Sequence, residues 1–187
     1  MIKIDFNNNF KGFIDKEDIL IDTGVLFALL NEHDAWYKTV NELFDNFIFN
    51  NSDDVLFLYI NPCIQNEITN LLDSNKLYNY YNTKYPQLGV TKQEVENIEK
   101  KSIIAIEKLI EEDILLILDS NKESSLKQLK LYKELGAADA INVSIVDEYG
   151  ISFLTVDNKL VNNIVKRAKE LENIQNIYYT NPSYRTY

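Results

Sequence analysis

Four carboxylates carry the chemical interest of this chain: Asp22, Glu67, Asp139 and Asp157. Asp22 and Asp157 each follow a short apolar run and precede a helical stretch, in DILIDTGVLFALL and ISFLTVDNKL. In an open α/β sheet that is the carboxyl edge, where ligand sites form. Glu67 lies in INPCIQNEITNLL, where Ile64, Ile68, Leu71 and Leu72 mark an apolar helix stripe. At about 100° per residue it falls beside Leu71, at the edge of that stripe. Asp139 opens a helix in LGAADAINVSIVDEYG, with Asn142 one turn later on the same side. Thr155 and Asp157 flank Val156, so a hydroxyl and a carboxylate share one strand end.

Carboxylates do not gather without a reason. Two of them about 4 Å apart repel by roughly 4 kcal/mol at an effective dielectric of about 20. Four in one place require protonation or a bound cation. His33 is the only histidine and Cys63 the only cysteine, so the ligands would all be oxygen. Oxygen ligands favour Mg²⁺ or Mn²⁺ over zinc. Such an ion acidifies a bound water for attack on a phosphodiester, and a second ion can stabilise the leaving oxygen. Taken singly, Asp22 and Asp157 read as helix caps. Asp139 alone reads as an acid favoured by a helix dipole, and Glu67 alone as a solvated helix residue.

Other chemistries find no residues. A single cysteine allows no intrachain disulfide and no cysteine–histidine zinc cluster. A serine–histidine–aspartate triad would have to be built on His33, in a polar loop. No GxGxxG or GxxxxGK[ST] stretch is present. A net charge of −10 disfavours coating nucleic acid with positive charge and leaves room for a local basic face. Two basic stripes exist, Lys122, Lys127, Lys130 and Lys133, and Lys159, Lys166, Arg167 and Lys169. Most of them read as solvated faces, but Lys159 follows Asp157 by two residues and is the candidate for meeting an RNA phosphate. No apolar run reaches the roughly 20 residues of a membrane span, and the N-terminus lacks a secretion signal's apolar core. A cytoplasmic location is therefore expected. His33 and Trp36 read as surface or partner-contact residues, and Cys63 as a small apolar helix residue.

The elements that must position the acids alternate along the 187 residues. Strands are expected at Ile2–Phe6 (an edge), Ile19–Ile21, Val55–Ile60, Ile114–Leu118, Ile151–Thr155 and Ile174–Thr180. Val55–Ile60, apolar throughout, is expected to be covered on both faces. Helices are expected at Gly24–Leu30, at Ala35 to about Phe49 capped by Asp34, from Asn61-Pro62 through Leu72, and at Lys92–Glu112 capped by Thr91. Further helices are expected at Lys122–Leu135, Ala138–Tyr149 and Asn158–Leu171. Asn50–Asp54 reads as a loop, and Asp73–Gly89 carries no clear pattern. Strands alternating with helices imply a parallel α/β sheet. A single domain over residues 1–187 is expected, with the helical section Asp73–Asp113 projecting as a subdomain.

The four acids in this order, in ILIDTGVLFALL, INPCIQNEITNLL, LGAADAINVSIVDEYG and ISFLTVDNKL, resemble the PIN-domain ribonucleases, including the toxin halves of bacterial toxin–antitoxin pairs. The resemblance implies a PIN-like α/β/α sandwich with a mostly parallel central sheet. It implies a metal-dependent endoribonuclease acting on RNA. Asp22, Glu67, Asp139 and Asp157 would be the acids that hold Mg²⁺ or Mn²⁺, and Thr23 and Thr155 would orient a carboxylate or a water. A protein antitoxin and a homodimer are the partners expected beside RNA, and no membrane is. The alternative is a catalytically silent PIN-like module that binds RNA or protein. A phosphoaspartate-type phosphatase ranks lower, because it shows Asp-x-Asp after its first strand and this chain has Asp22-Thr23-Gly24.

Overall fold

The computed structural model describes residues 1–50 and 55–185. Its centre is a six-stranded sheet in the order β1-β6-β5-β2-β3-β4. The strands are β1 (Ile2–Asp5), β2 (Glu17–Ile21), β3 (Leu56–Ile60), β4 (Leu115–Ile117), β5 (Ser152–Leu154) and β6 (Asn176–Tyr179). Every pairing is parallel, so each connection must cross over. Those crossovers supply helices α1 (Thr23–Leu30), α2 (Tyr37–Phe44), α3 (Pro62–Leu72), α4 (Ser74–Lys84), α5 (Lys92–Glu111), α6 (Lys122–Leu135), α7 (Ala137–Tyr149) and α8 (Asn158–Lys166).

The chain runs outward from β2 through β3 to β4, then returns to β5 on the other side of β2 and continues to β6. The direction of winding therefore reverses between β2 and β5. Above the carboxyl ends of two such strands, the flanking loops diverge and leave a crevice. Ile19, Leu20 and Ile21 of β2 and Phe153 and Leu154 of β5 are fully buried. Burial of consecutive strand residues means both faces are covered there. Cover thins toward the β4 edge, where Phe57 and Ile117 are exposed, so the expectation of a fully covered Val55–Ile60 strand fails.

Local chemistry accounts for most element ends. Asn61 caps α3 by accepting from Ile64 N at 2.9 Å, with Pro62 in the first turn. Thr91 and Glu94 form a capping box at the start of α5. Gly136, at φ +94°, turns the chain between α6 and α7. Other expectations change. Asp34 accepts from Trp36 N at 2.8 Å and shapes the turn before α2 without being its cap. The helix expected through Phe49 is α-helical to Phe44 and widens into a π-helical turn over Asp45–Phe49. The expected Asn50–Asp54 loop lies, after Asn50, outside the described residues. The patternless Asp73–Gly89 stretch contains α4 and a short 3₁₀ turn over Pro86–Leu88. The helix expected to reach Leu171 stops at Lys166, and Val165 is exposed.

The Asp73–Asp113 section does not project. Leu77, Tyr81, Val95, Ile98 and Ile106 are buried in the same core as the central strands. Their apolar stripes hold α4 and α5 against α1 and α3. Trp36 is buried rather than at the surface, and His33 is half-buried with its ring 5.8 Å from that of Tyr81. The basic stripes are partly structural. Lys127 pairs with the buried carboxylate of Asp147, and Arg167 bonds Glu134 at 2.6 Å and Glu170 at 2.8 Å.

At the amino end of the sheet a buried carboxylate ties three strands together. Glu17 of β2 accepts from Tyr178 Oη at 2.7 Å, from Asn176 Nδ2 at 2.8 Å and from the Ser152 hydroxyl. Burial and then the Glu17 bond hold the Tyr178 hydroxyl well above its ordinary range. Glu17→Ala strands those donors in the core and should destabilise the chain by about 2 kcal/mol or more. Urea denaturation at pH 7 measures this, and an unchanged midpoint contradicts it.

Candidate functional site

The crevice between β2 and β5 collects the acids. Asp22 directly follows β2 and is drawn over β5 by a backbone bond from its N–H to Leu154 O at 2.9 Å. It caps α1, with Oδ1 accepting from Thr23 N at 2.9 Å. Oδ2 accepts from the Thr155 hydroxyl at 2.6 Å. Thr155 also accepts from Asp157 N at 3.0 Å. Asp157 caps α8 through Lys159 N at 2.7 Å and Leu160 N at 3.0 Å. On the other side, the Thr23 hydroxyl donates to Glu67 Oε2 at 2.7 Å. Two threonines thus link three of the acids: Glu67 to Thr23 to Asp22, and Asp22 to Thr155 to Asp157.

Asp139, in the first turn of α7, faces this chain without a hydrogen bond to it among the described residues. Asp22, Glu67, Asp139 and Asp157 line one pocket of about 320 Å³, together with Thr23, Gly24, Leu71, Val156 and Arg185. Close packing sets its floor: a Cβ on Gly24 would lie 3.2 Å from Val156 Cγ2. Behind the pocket, Asn61 Nδ2 donates to Asn142 Oδ1 at 2.8 Å. That bond fastens α3, which carries Glu67, to α7, which carries Asp139. Asn142 Nδ2 is buried without a partner among the described residues.

The electrostatics are those of acids held against their preference. Asp22 is only 6% exposed. Burial pushes its pKa up to about 7; Asp139 and Glu67 add to the rise, and the Thr155 and Thr23 bonds oppose it. Asp139 is pushed up to about 6, first by burial and then by Asp157 and Glu67, with the Lys159 ammonium opposing. The same crowding reaches Cys63, whose thiol is pushed up by burial, then by Glu67 and Asp139. Cys63 is thus a half-buried thiol beside the acids and is kept protonated.

All four expected acids therefore share one pocket, and Thr23 and Thr155 each hold one of them. Lys159 acts on Asp139 through its charge. Arg185 was not foreseen. It follows the last short turn of the chain, Pro182–Tyr184, and lies 5.0 Å above the Trp36 ring. A lone arginine in a polar tail carries no sequence signal for a site. Leu71 was read as an inward stripe residue but is exposed and forms part of the pocket wall.

The donor set suits a hard divalent ion: carboxylates, hydroxyls and room for water, with no nitrogen or sulfur ligand. The oxygens are not converged as a finished cage, because among the described residues no three acidic, histidine or cysteine side chains close on one point. Hydrogen bonds account for this: both Asp22 oxygens and one Glu67 oxygen are turned to threonines. Mg²⁺ keeps several waters and takes one or two carboxylates directly, so a loose ring of acids is compatible with it.

Among the described residues no helix is long and apolar enough to cross a membrane. No family model matches the sequence, and no curated protein matches it at a significant level. The fold is similar to those of several solved structures, among them the following three. One is VapBC2 from Rickettsia felis bound to a DNA fragment from their promoter, 15% identical over 86% of this chain and 98% of that one, with a TM-score of 0.45. FitAcB from Neisseria gonorrhoeae is 12% identical over 88% of this chain and 98% of that one, with a TM-score of 0.46. PAE2754 from Pyrobaculum aerophilum is 15% identical over 83% of this chain and 96% of that one, with a TM-score of 0.39.

Proposed function

We propose that the chain is an endoribonuclease that hydrolyses RNA phosphodiester bonds with Mg²⁺ or Mn²⁺ held by Asp22, Glu67, Asp139 and Asp157. One observation carries this reading: four carboxylates from four separate elements crowd one pocket, and two of them are pushed toward protonation by it. The likeness of the four motifs to PIN-domain ribonucleases supports the same chemistry. In that role the chain is the toxin half of a toxin–antitoxin pair, with a protein antitoxin and a second copy of itself as partners.

When bound, the ion supplies Lewis acidity toward a phosphoryl oxygen and acidifies water for in-line attack. The chain's own groups do the rest. Thr155 and Thr23 hold Asp22 and Glu67 at fixed orientation, so little reorganisation is needed when a substrate arrives. Asp139, from the first turn of α7, would complete the ring of carboxylates around the ion, whose positive charge offsets the crowding by Asp157 and Glu67. Arg185, which lines the pocket, would meet a phosphate oxygen with its planar pair of donors. Lys159 adds a point charge near Asp139.

The unconverged oxygens favour a second reading, a silent module that binds RNA without cutting it. Cleavage of a pooled single-stranded RNA separates the two. Asp22→Asn and Asp139→Asn should each lower Mg²⁺-dependent cleavage by about a thousandfold with circular dichroism unchanged. Undiminished cleavage by either variant removes the nuclease assignment.

The raised pKa of Asp22 gives a second test. Below about pH 4 its carboxyl is protonated in both folded and unfolded chains. As pH rises toward its folded value of about 7, the unfolded chain releases the proton first, so folded stability falls. Asp22→Asn abolishes that loss. In EDTA at pH 8 it should melt about 3 °C or more above the parent, and the gain should fade toward pH 4. Equal melting at both pH values contradicts a buried, destabilised carboxylate.

A further inference from the structure

The acid pocket has a neighbour. A hollow of about 350 Å³ is lined by Phe27, Leu71, Leu77 and Tyr80 and by Asp34, Asn70 and Lys76. Leu71 lines both hollows, so they lie side by side. Arg185 stands at the junction. It lines the acid pocket, and its charge acts on both Asp34 and Tyr80 in the second compartment. A further groove of similar volume, between α1 and α5, shares no residue with the acid pocket.

We infer that the second compartment receives one unpaired nucleobase of the substrate strand, next to the phosphodiester held in the acid pocket, with its face on Tyr80 and its N–H edge toward Asp34. This rests on the nuclease reading of the acid pocket. Aromatic faces accept any base by stacking, and an unpaired base is what a protein reads on single-stranded RNA. Few polar groups among apolar walls is the composition of a ligand pocket. Asp34 is fixed by its bond from Trp36 N at 2.8 Å, and as a carboxylate it complements only donors. Guanine offers two adjacent N–H donors on one edge and is the base this arrangement selects. Lys76, bonded to Asn70, lines the same hollow and supplies a cation for the flanking phosphate.

The test uses the full chain carrying Asp139→Asn, which holds RNA uncut, and fluorescence anisotropy with labelled heptamers of uridine in which the central base is varied. A central guanine should bind at least about fivefold tighter than a central uracil, the scale of one good edge contact. Tyr80→Ala should weaken every heptamer by about tenfold, the scale of one stack. Tyr80 is 47% exposed but its ring packs edge-on against Tyr81 and Tyr85, so an unchanged circular dichroism spectrum of Tyr80→Ala must accompany the binding loss. Asp34→Asn should erase the guanine preference while leaving uridine binding in place. Equal affinity for all central bases, or affinities indifferent to Tyr80→Ala, overturns the base compartment, and if the parent still cleaves RNA the nuclease reading stands without it. A parent that neither binds nor cuts RNA removes both.

Discussion

The structure turns on a desolvated carboxylate among like charges. Asp22 is buried at the end of a central strand, and its neighbours on the pocket wall are Glu67, Asp139 and Asp157. Each unit of raised pKa is about 1.4 kcal/mol against the ionised form. Folding alone gains nothing from this. A chain that only needed to fold could place an asparagine there and keep the α1 cap. The strain is coherent if the pocket exists to hold positive charge.

The scaffold explains how such a cluster is tolerated. The two central strands are apolar and fully buried over Ile19–Ile21 and over Phe153 and Leu154, and they deliver Asp22 and Thr155 to adjacent strand ends. Threonines then act as spacers. Thr155 donates to Asp22 and Thr23 to Glu67, so each of these acids has a partner that carries no charge. The Asn61–Asn142 bond ties the start of α3, the helix of Glu67, to α7, the helix of Asp139. At the far end of the same sheet Glu17 is equally buried but is surrounded by hydroxyl and amide donors, with no second acid bonded to it among the described residues. The contrast separates a carboxylate used as a structural tie from carboxylates crowded for chemistry.

Much of this was legible in the sequence. Apolar runs ending in Asp22-Thr23 and in Thr155-Val156-Asp157 identified two strand ends, and the Asn61-Pro62 signal identified the start of α3. Helical spacing put Glu67 at the edge of a buried stripe. What escaped was set by tertiary contact. Arg185 reaches the site through the course of the last residues over Trp36, which no periodicity encodes. Trp36, just after the first helix, reads as a surface or partner-contact residue, yet it is buried. The Asp73–Asp113 section looked independent because its polar, tyrosine-rich half hid Leu77 and Tyr81, which join the core. Val165 fitted the apolar face of α8, but the helix ends one residue later and leaves it exposed.

The central claim is that the crowded acids are a cation site. Crystals soaked in Mn²⁺ and measured for anomalous scattering test it most directly. The account predicts a peak in the pocket about 2 Å from a carboxylate oxygen of Asp22 or Asp139, with waters completing the shell. Crystals with no peak there, and with Asp22 still turned to Thr23 and Thr155, would contradict it.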